Sequence, residues 1–370
     1  MHLGALGAPA PSYDILMYAA DPGAVRETVL EHGMPGILPG YGAVMKRWLA
    51  AIGLVLAVAG CGGGDGGGGT SALTIAVIPK GTSHMFWQSI HAGANRAARE
   101  LGVEVIWRGP LREDERDSQI SEVEGFISRG VSGIALAPLD EVALVGPVRD
   151  AAARKIPVVI FDSGLKGSDY VSFVATDNVE GGRLGGERLV QALKGTGKVI
   201  LLRYAEGHDS TGKREQGFLE AMKAHPNVQV VSSNQYVGAD VEGAYKKTES
   251  ILSGYKKPDG SLSIDGIFCV NESSSFATMR VLQDNGWAGK VRFVAFDSSP
   301  NLIKGLQDGV LDGIVLQDPV RMGYLAVKTL VSHIRGEAVE KRIDTGVHVA
   351  TRENMEQPGI RELVYPDVAK

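Results

Sequence analysis

The sequence predicts an α/β protein of two doubly wound lobes, each a parallel sheet covered by helices on both faces. Three observations lead there. Short β-branched runs alternate with segments of helical period from residue 73 to residue 335. The runs are apolar almost throughout, the pattern of parallel strands buried on both faces. They number ten and fall into two series of five, which suits two lobes better than one large sheet.

The first series is expected at residues 73–78, 103–107, 133–137, 157–161 and 171–176. The second is expected at 198–202, 228–232, 266–270, 291–296 and 313–317. Helices fit between them at 86–101, 116–129, 140–154 and 179–193, then at 212–224, 239–252, 274–284, 300–307 and 319–335. A chain of 370 residues is long for one average domain, and 44% hydrophobic with 22% charged residues is a globular composition. A net charge of −5 argues against a dedicated nucleic-acid binder.

Residues 45–61 read MKRWLAAIGLVLAVAGC. Lys46 and Arg47 form a basic region, an apolar core follows, and Ala59 and Gly60 precede Cys61. That is a secretory signal peptide spanning 45–60. Its ending resembles the bacterial lipobox, which implies lipid on Cys61. A membrane anchor is the alternative, but the core is shorter than the ~20 residues of a span. The glycine-rich stretch within 61–71 then reads as a flexible tether. Residues 1–44 precede the signal and show little periodicity, so Met45 is taken as the start and the extension is set aside. A lipid-anchored chain facing the periplasm or the outer surface of the membrane is neither a cytosolic repressor nor dependent on cytosolic ATP.

Cys61 and Cys269 are the two cysteines. Count alone allows a disulfide, but Cys61 ends an apolar run and Cys269 lies in a strand-like one, where a free buried thiol is usual. No set of Cys, His and carboxylate residues has metal-ligand spacing. Neither metal nor cofactor is expected.

In doubly wound sheets ligands lie beyond the carboxyl ends of the strands. Polar and aromatic residues collect there in this sequence. His84, Phe86 and Trp87 follow the first strand, Asp162 the fourth, Arg203, Lys213 and Arg214 the sixth, Asn271 and Glu272 the eighth, Asp297 the ninth, and Gln317 and Asp318 the tenth. Singly, Asp162, Asn271 and Asp297 also suit helix caps or turns. Together, carboxylates, guanidinium, carboxamides and aromatic rings fit a neutral polyhydroxylated ligand: the polar groups bond hydroxyls and the rings cover C–H surface. A phosphate would call for a glycine-rich loop opening a helix, and GTGKV at 195–199 has the wrong spacing for one. The glycines of DNVEGGRLGG are read as helix-to-sheet packing. The charged run at 112–118 is read as a solvated loop and helix start.

From about residue 73 onward the chain resembles the ribose-binding branch of the type I periplasmic sugar-binding proteins. The resemblance rests on VATDNVEGGRLGGERLV, REQGF, FCVNESSSFATMRVLQDNG, VAFDSSP and GIVLQDP, in that order. It implies Rossmann-like lobes at 72–176 plus 318–346 and 177–317 plus 347–370, joined by a three-strand hinge and closing on a sugar. Carried over by motif, the ligand contacts fall on His84, Phe86, Trp87, Asp162, Arg214, Asn271, Asp297 and Gln317. His84 stands where the ribose binder has asparagine, and Ser163 replaces an arginine. A second aromatic wall is not evident; Tyr236 is the nearest candidate. The family implies a monomer that binds a pentose, hexose or polyol and delivers it to the permease subunits of an ABC importer. A sensor of the same fold, feeding a histidine kinase or chemoreceptor, is the alternative. Glycoside hydrolysis by Asp162 and Asp297 is disfavoured, since every polar group already serves as a hydroxyl partner and no GxSxG elbow occurs.

Overall fold

The computed structural model describes residues 72–368, so the extension at 1–44, the signal, Cys61 and the tether lie outside the described region. In chain order the first series is β1 (Thr74–Ile78), α1 (Met85–Leu101), β2 (Glu104–Trp107), α2 (Arg116–Arg129), β3 (Gly133–Leu136), α3 (Val145–Ala153), β4 (Val158–Phe161) and β5 (Ser172–Ala175). Then come α4 (Asn178–Ala192), β6 (Gly197–Arg203), α5 (Asp209–Ala224), β7 (Val228–Tyr236) and α6 (Val241–Ser253). β8 (Gly266–Cys269), α7 (Glu272–Asp284), β9 (Arg292–Phe296), α8 (Pro300–Gln307) and β10 (Gly313–Gln317) complete the second series. α9 (Pro319–Ile334), β11 (Arg342–Asp344), β12 (Val347–Ala350) and α10 (Arg361–Val364) follow.

All ten expected strands and nine expected helices are present among the described residues. α3 starts later than expected because the Asp140 carboxylate accepts from the backbone of Val142 and Ala143, holding 140–144 in a turn. α5 starts earlier, at Asp209. β11, β12 and α10 were not expected. β11 and β12 are short and only partly buried, so they lack the apolar run that marks the other strands.

The strands form two six-stranded sheets, ordered β11-β5-β4-β3-β1-β2 and β12-β10-β9-β8-β6-β7. Pairing is parallel throughout except between β10 and β12. Central strands such as β3, β4 and β8 are buried on every residue, whereas β2 at the edge is not. The chain passes between sheets three times, after β5, after β10 and between β11 and β12. Arg342 ties two of these passages together, donating to the carbonyls of Ala175 and Thr176 at 2.7 and 3.0 Å.

Glycines set the helix that bears each half of the site. A Cβ on Gly93 of α1 would lie 1.9 Å from the Val320 carbonyl of α9, and one on Gly217 of α5 would lie 1.9 Å from that of Val179 in α4. The helices touch backbone to backbone there. In DNVEGGRLGG, Gly181 and Gly185 face sheet side chains as expected, but Gly182 meets the Arg214 carbonyl and so packs helix on helix. Cys269 is a free, buried thiol, which burial pushes up to about 12.

Candidate ligand cleft

β1 ends at Ile78, and the chain runs past Lys80 to His84, which occupies the N-cap of α1 without a side-chain capping bond. Phe86 and Trp87 therefore open the helix. Phe86, Ile90, Ala94 and Ala97 fall on one buried stripe at helical spacing, so the aromatics continue the lobe's core as well as reaching the strand ends. Their rings meet edge to face at 5.0 Å. The Trp87 indole donates to Glu113 at 2.7 Å.

On the opposite sheet, β6 leads to Tyr204 and α5 carries Ser210, Thr211 and Arg214. Arg214 donates to the Asn178 amide oxygen at 2.8 Å and the Val270 carbonyl at 2.9 Å. Its guanidinium lies 3.9 Å over the Phe296 ring and 3.8 Å from Asp297. Asp297 accepts from Gln317 at 2.7 Å. Asn271 caps α7 through Ser274 and still reaches the same space. Of the three residues that suited a cap, it alone serves as one. Asp162 and Asp297 instead sit in the left-handed region at φ 61° and 67°, where an aspartate costs less than most side chains.

One cavity is lined by all eight residues carried over by motif: His84, Phe86, Trp87, Asp162, Arg214, Asn271, Asp297 and Gln317. It is also lined by Lys80, Glu113, Tyr204, Ser210, Thr211 and Glu272. The free space is small, about 30 Å³, because the two sides touch. Lys80 donates to Ser210 at 3.0 Å, Tyr204 to Glu113 at 2.9 Å, and the Phe86 amide to Glu272 at 3.3 Å. Ser163 takes part as well, accepting from the Ser210 amide at 3.2 Å.

Two readings of the sequence are corrected here. The run at 112–118 is not all solvated, because Glu113 turns inward and its side chain is 11% exposed. The aromatic on the second sheet is Tyr204, which is fully buried, whereas Tyr236 lies under the Arg203 guanidinium at 4.4 Å and does not line the cavity. Lys80 and Tyr204 each lie within two residues of a strand end, so the strand-end rule reaches them too. Arg203 and Lys213 turn away to pair with Glu215 and Asp209.

Charge is distributed unevenly. Asp162 pairs with Lys80 at 2.8 Å, both nearly inaccessible. Burial would raise the Glu113 carboxyl, but His84, Lys80 and the Trp87 indole together hold it below the usual range. Burial raises Asp297 above its ordinary value despite Arg214 and Gln317, and burial lowers Arg214 despite Asp297. Glu272 is pushed up to about 7 by burial, with His84 opposing and Asp297 reinforcing. Tyr204 is raised well above its ordinary value by burial and by Glu113.

Residues 75–338 match the periplasmic binding protein domain family. The chain belongs to that family, in its type I sugar-binding branch. This periplasmic binding protein is 27% identical over 278 residues to the ribose import binding protein of Haemophilus influenzae, spanning 75% of this chain and 90% of that one. It superposes with a TM-score of 0.75 at 31% identity on a carbohydrate transporter solute-binding protein from Agrobacterium radiobacter in complex with D-arabinose, covering 80% of this chain and 99% of the other. A second solute-binding protein, from Agrobacterium vitis with bound D-fucose, gives a TM-score of 0.74 at 33% identity, covering 79% and 100%. The two-lobe α/β fold is therefore shared with both solved structures. Among its described residues no helix is long and apolar enough to cross a membrane.

Proposed function

We propose that this periplasmic binding protein is a lipid-anchored receptor that captures a sugar or polyol between its lobes and hands it to the permease subunits of an ABC importer. The supporting observation is a cavity in which both sets of strand ends converge, with carboxylates, an arginine, carboxamides and three aromatic rings. In this reading Asp162, Asp297 and Asn271 bond ligand hydroxyls, Arg214 donates across the cleft, and Gln317 sits beside the hinge. His84, Phe86 and Trp87 form the apolar and imidazole wall. The relatives with D-arabinose and D-fucose bound, and the one named for ribose import, point to the same ligand class.

Capture requires movement, because about 30 Å³ holds roughly two waters and no sugar ring. Lobes at 72–176 plus 318–346 and at 177–317 plus 347–370 part about the three passages, and ligand replaces the direct contacts between them. Binding, not catalysis, is the activity. Asp162 is neutralised by Lys80, and Asp297 is held by Gln317 and Arg214, so neither is placed as a free acid or base.

A thermal-shift screen against pentoses, hexoses and polyols tests the reading. A ligand that raises the melting temperature of the native chain is expected to give no shift with Arg214→Ala. An undiminished shift in that variant sinks the site. For the anchor, Cys61→Ala is expected to move the protein from the membrane fraction to the soluble one with binding retained.

A further inference from the structure

The cleft holds more negative charge than a neutral ligand needs. Its lining carries four carboxylates, Glu113, Asp162, Glu272 and Asp297, against two fixed cations, Lys80 and Arg214. Lys80 is matched to Asp162 at 2.8 Å and Arg214 faces Asp297 at 3.8 Å. Glu113 is served by the Trp87 indole, the Tyr204 hydroxyl and His84. Glu272 is left with the Phe86 amide at 3.3 Å, and among the described residues no lysine or arginine pairs with it. A half-buried carboxylate whose one cationic neighbour is an imidazole is costly to keep ionised unless something supplies a further cation.

A second observation is independent of charge. The amide nitrogen of Gln317 is committed to Asp297, which fixes its oxygen as an acceptor. That oxygen is buried with no hydrogen-bond partner, on a residue 3% exposed that lines the same cavity. That oxygen can be satisfied only by a donor on the occupant. An ammonium group has three donors and no acceptor.

We propose that the ligand is an amino-substituted sugar bound as its cation, with Glu272 as the ammonium partner. This deepens the sugar-receptor reading and rests on it. His84, Glu113 and Asp297 are the charged or titratable neighbours that face Glu272. The carboxylates among them raise its proton affinity, His84 lowers it, and burial sets the net result at about 7. An incoming ammonium lowers that affinity again, so binding expels a proton from Glu272. Phe86 and Trp87 open α1 beside the Phe86 amide from which Glu272 accepts, and as lining aromatics they add a surface that favours a cation.

Isothermal titration calorimetry on the native chain tests this, using 2-, 3- and 6-amino aldohexoses, their neutral parents and their N-acetyl derivatives. Near pH 6.5, below the raised value of Glu272, titrations in buffers of different ionisation enthalpy count the protons released. At least one amine is expected to bind about tenfold or more tighter than its parent, with proton release, and N-acetylation should remove the advantage. Glu272→Gln should bring the amine-to-parent ratio near one and abolish the proton release, with far-ultraviolet circular dichroism showing an intact fold. Parents that bind as well as or better than every amine overturn the proposal and leave the sugar reading standing. Failure of every sugar, amine or neutral, overturns that reading and this proposal with it.

Discussion

β4 and β9 occupy the same place in their sheets, third from the edge strand that returns through the hinge, and each ends in Phe-Asp-Ser. Both aspartates, Asp162 and Asp297, take a left-handed backbone that turns the carboxylate into the cleft. Their partners differ. Asp162 has a full salt bridge from Lys80 within its own lobe, while Asp297 has an uncharged amide at 2.7 Å and a guanidinium only at 3.8 Å. The half-buried glutamates repeat the asymmetry, with Glu113 held ionised by the groups around it and Glu272 pushed up to about 7. One lobe has settled its charges internally. The other keeps its acceptors underpaired, so it is the side on which a ligand's donors gain most. The same backbone plan thus yields a fixed wall and a receptive one.

The aspartates offer the sharpest test of that asymmetry. Asp162→Asn strands a buried lysine and should cost about 3–5 kcal/mol in urea unfolding of the free protein. Asp297→Asn removes a carboxylate that burial already disfavours, and it should cost less by about 2 kcal/mol or more. Equal losses at the two positions would break the comparison.

Glu272 gives the next largest effect, as a pH dependence. Its carboxyl titrates near 4.5 when unperturbed and about 7 in the fold, so the folded state holds the extra proton in between. Its contribution to stability is therefore lost as pH rises from the lower value to the higher. Glu272→Gln should be more stable than the native chain at pH 8 by up to about 3 kcal/mol, with the gain shrinking toward pH 4.5. A pH-independent difference would sink the assignment.

The glycine crossings should give the smallest effect and the most even one. Gly93→Ala and Gly217→Ala each force a methyl onto a carbonyl 1.9 Å away and should cost about 1–3 kcal/mol in either lobe. Gly217 lies one turn beyond Arg214 on α5, so its variant should also shrink the ligand-induced thermal shift through displacement of the guanidinium. A thermal melt with and without a binding sugar separates the two consequences.

Much of this architecture was legible because parallel strands buried on both faces must be apolar on consecutive residues, and that signal needs no partner to be read. The strand-end rule gathered twelve candidates, and the family resemblance singled out eight of them, all of which line one cavity. The rule passed over Lys80 and Tyr204 although they stand at strand ends. A lysine after a strand looks like an ordinary solvated residue, and Tyr204 follows an arginine that drew attention to itself. Glu113 was beyond reach. It sits among Arg112, Asp114, Glu115 and Arg116, and nothing in composition separates the one side chain that turns inward from those that do not. β11 and β12 escaped for a related reason, since short half-exposed strands acquire their identity from the sheet they join.

The sequence by itself determined the two doubly wound lobes, the order of their elements and the ends at which a ligand would lie, because local burial pattern and strand polarity are written residue by residue. Only the tertiary structure decided which charges neutralise one another. Lys80 with Asp162, Glu113 with Trp87 and Tyr204, and Glu272 with little beyond a backbone amide are pairings between segments far apart in the chain. Electrostatic balance depends on distance and burial, and neither exists until the sheets have brought those segments together.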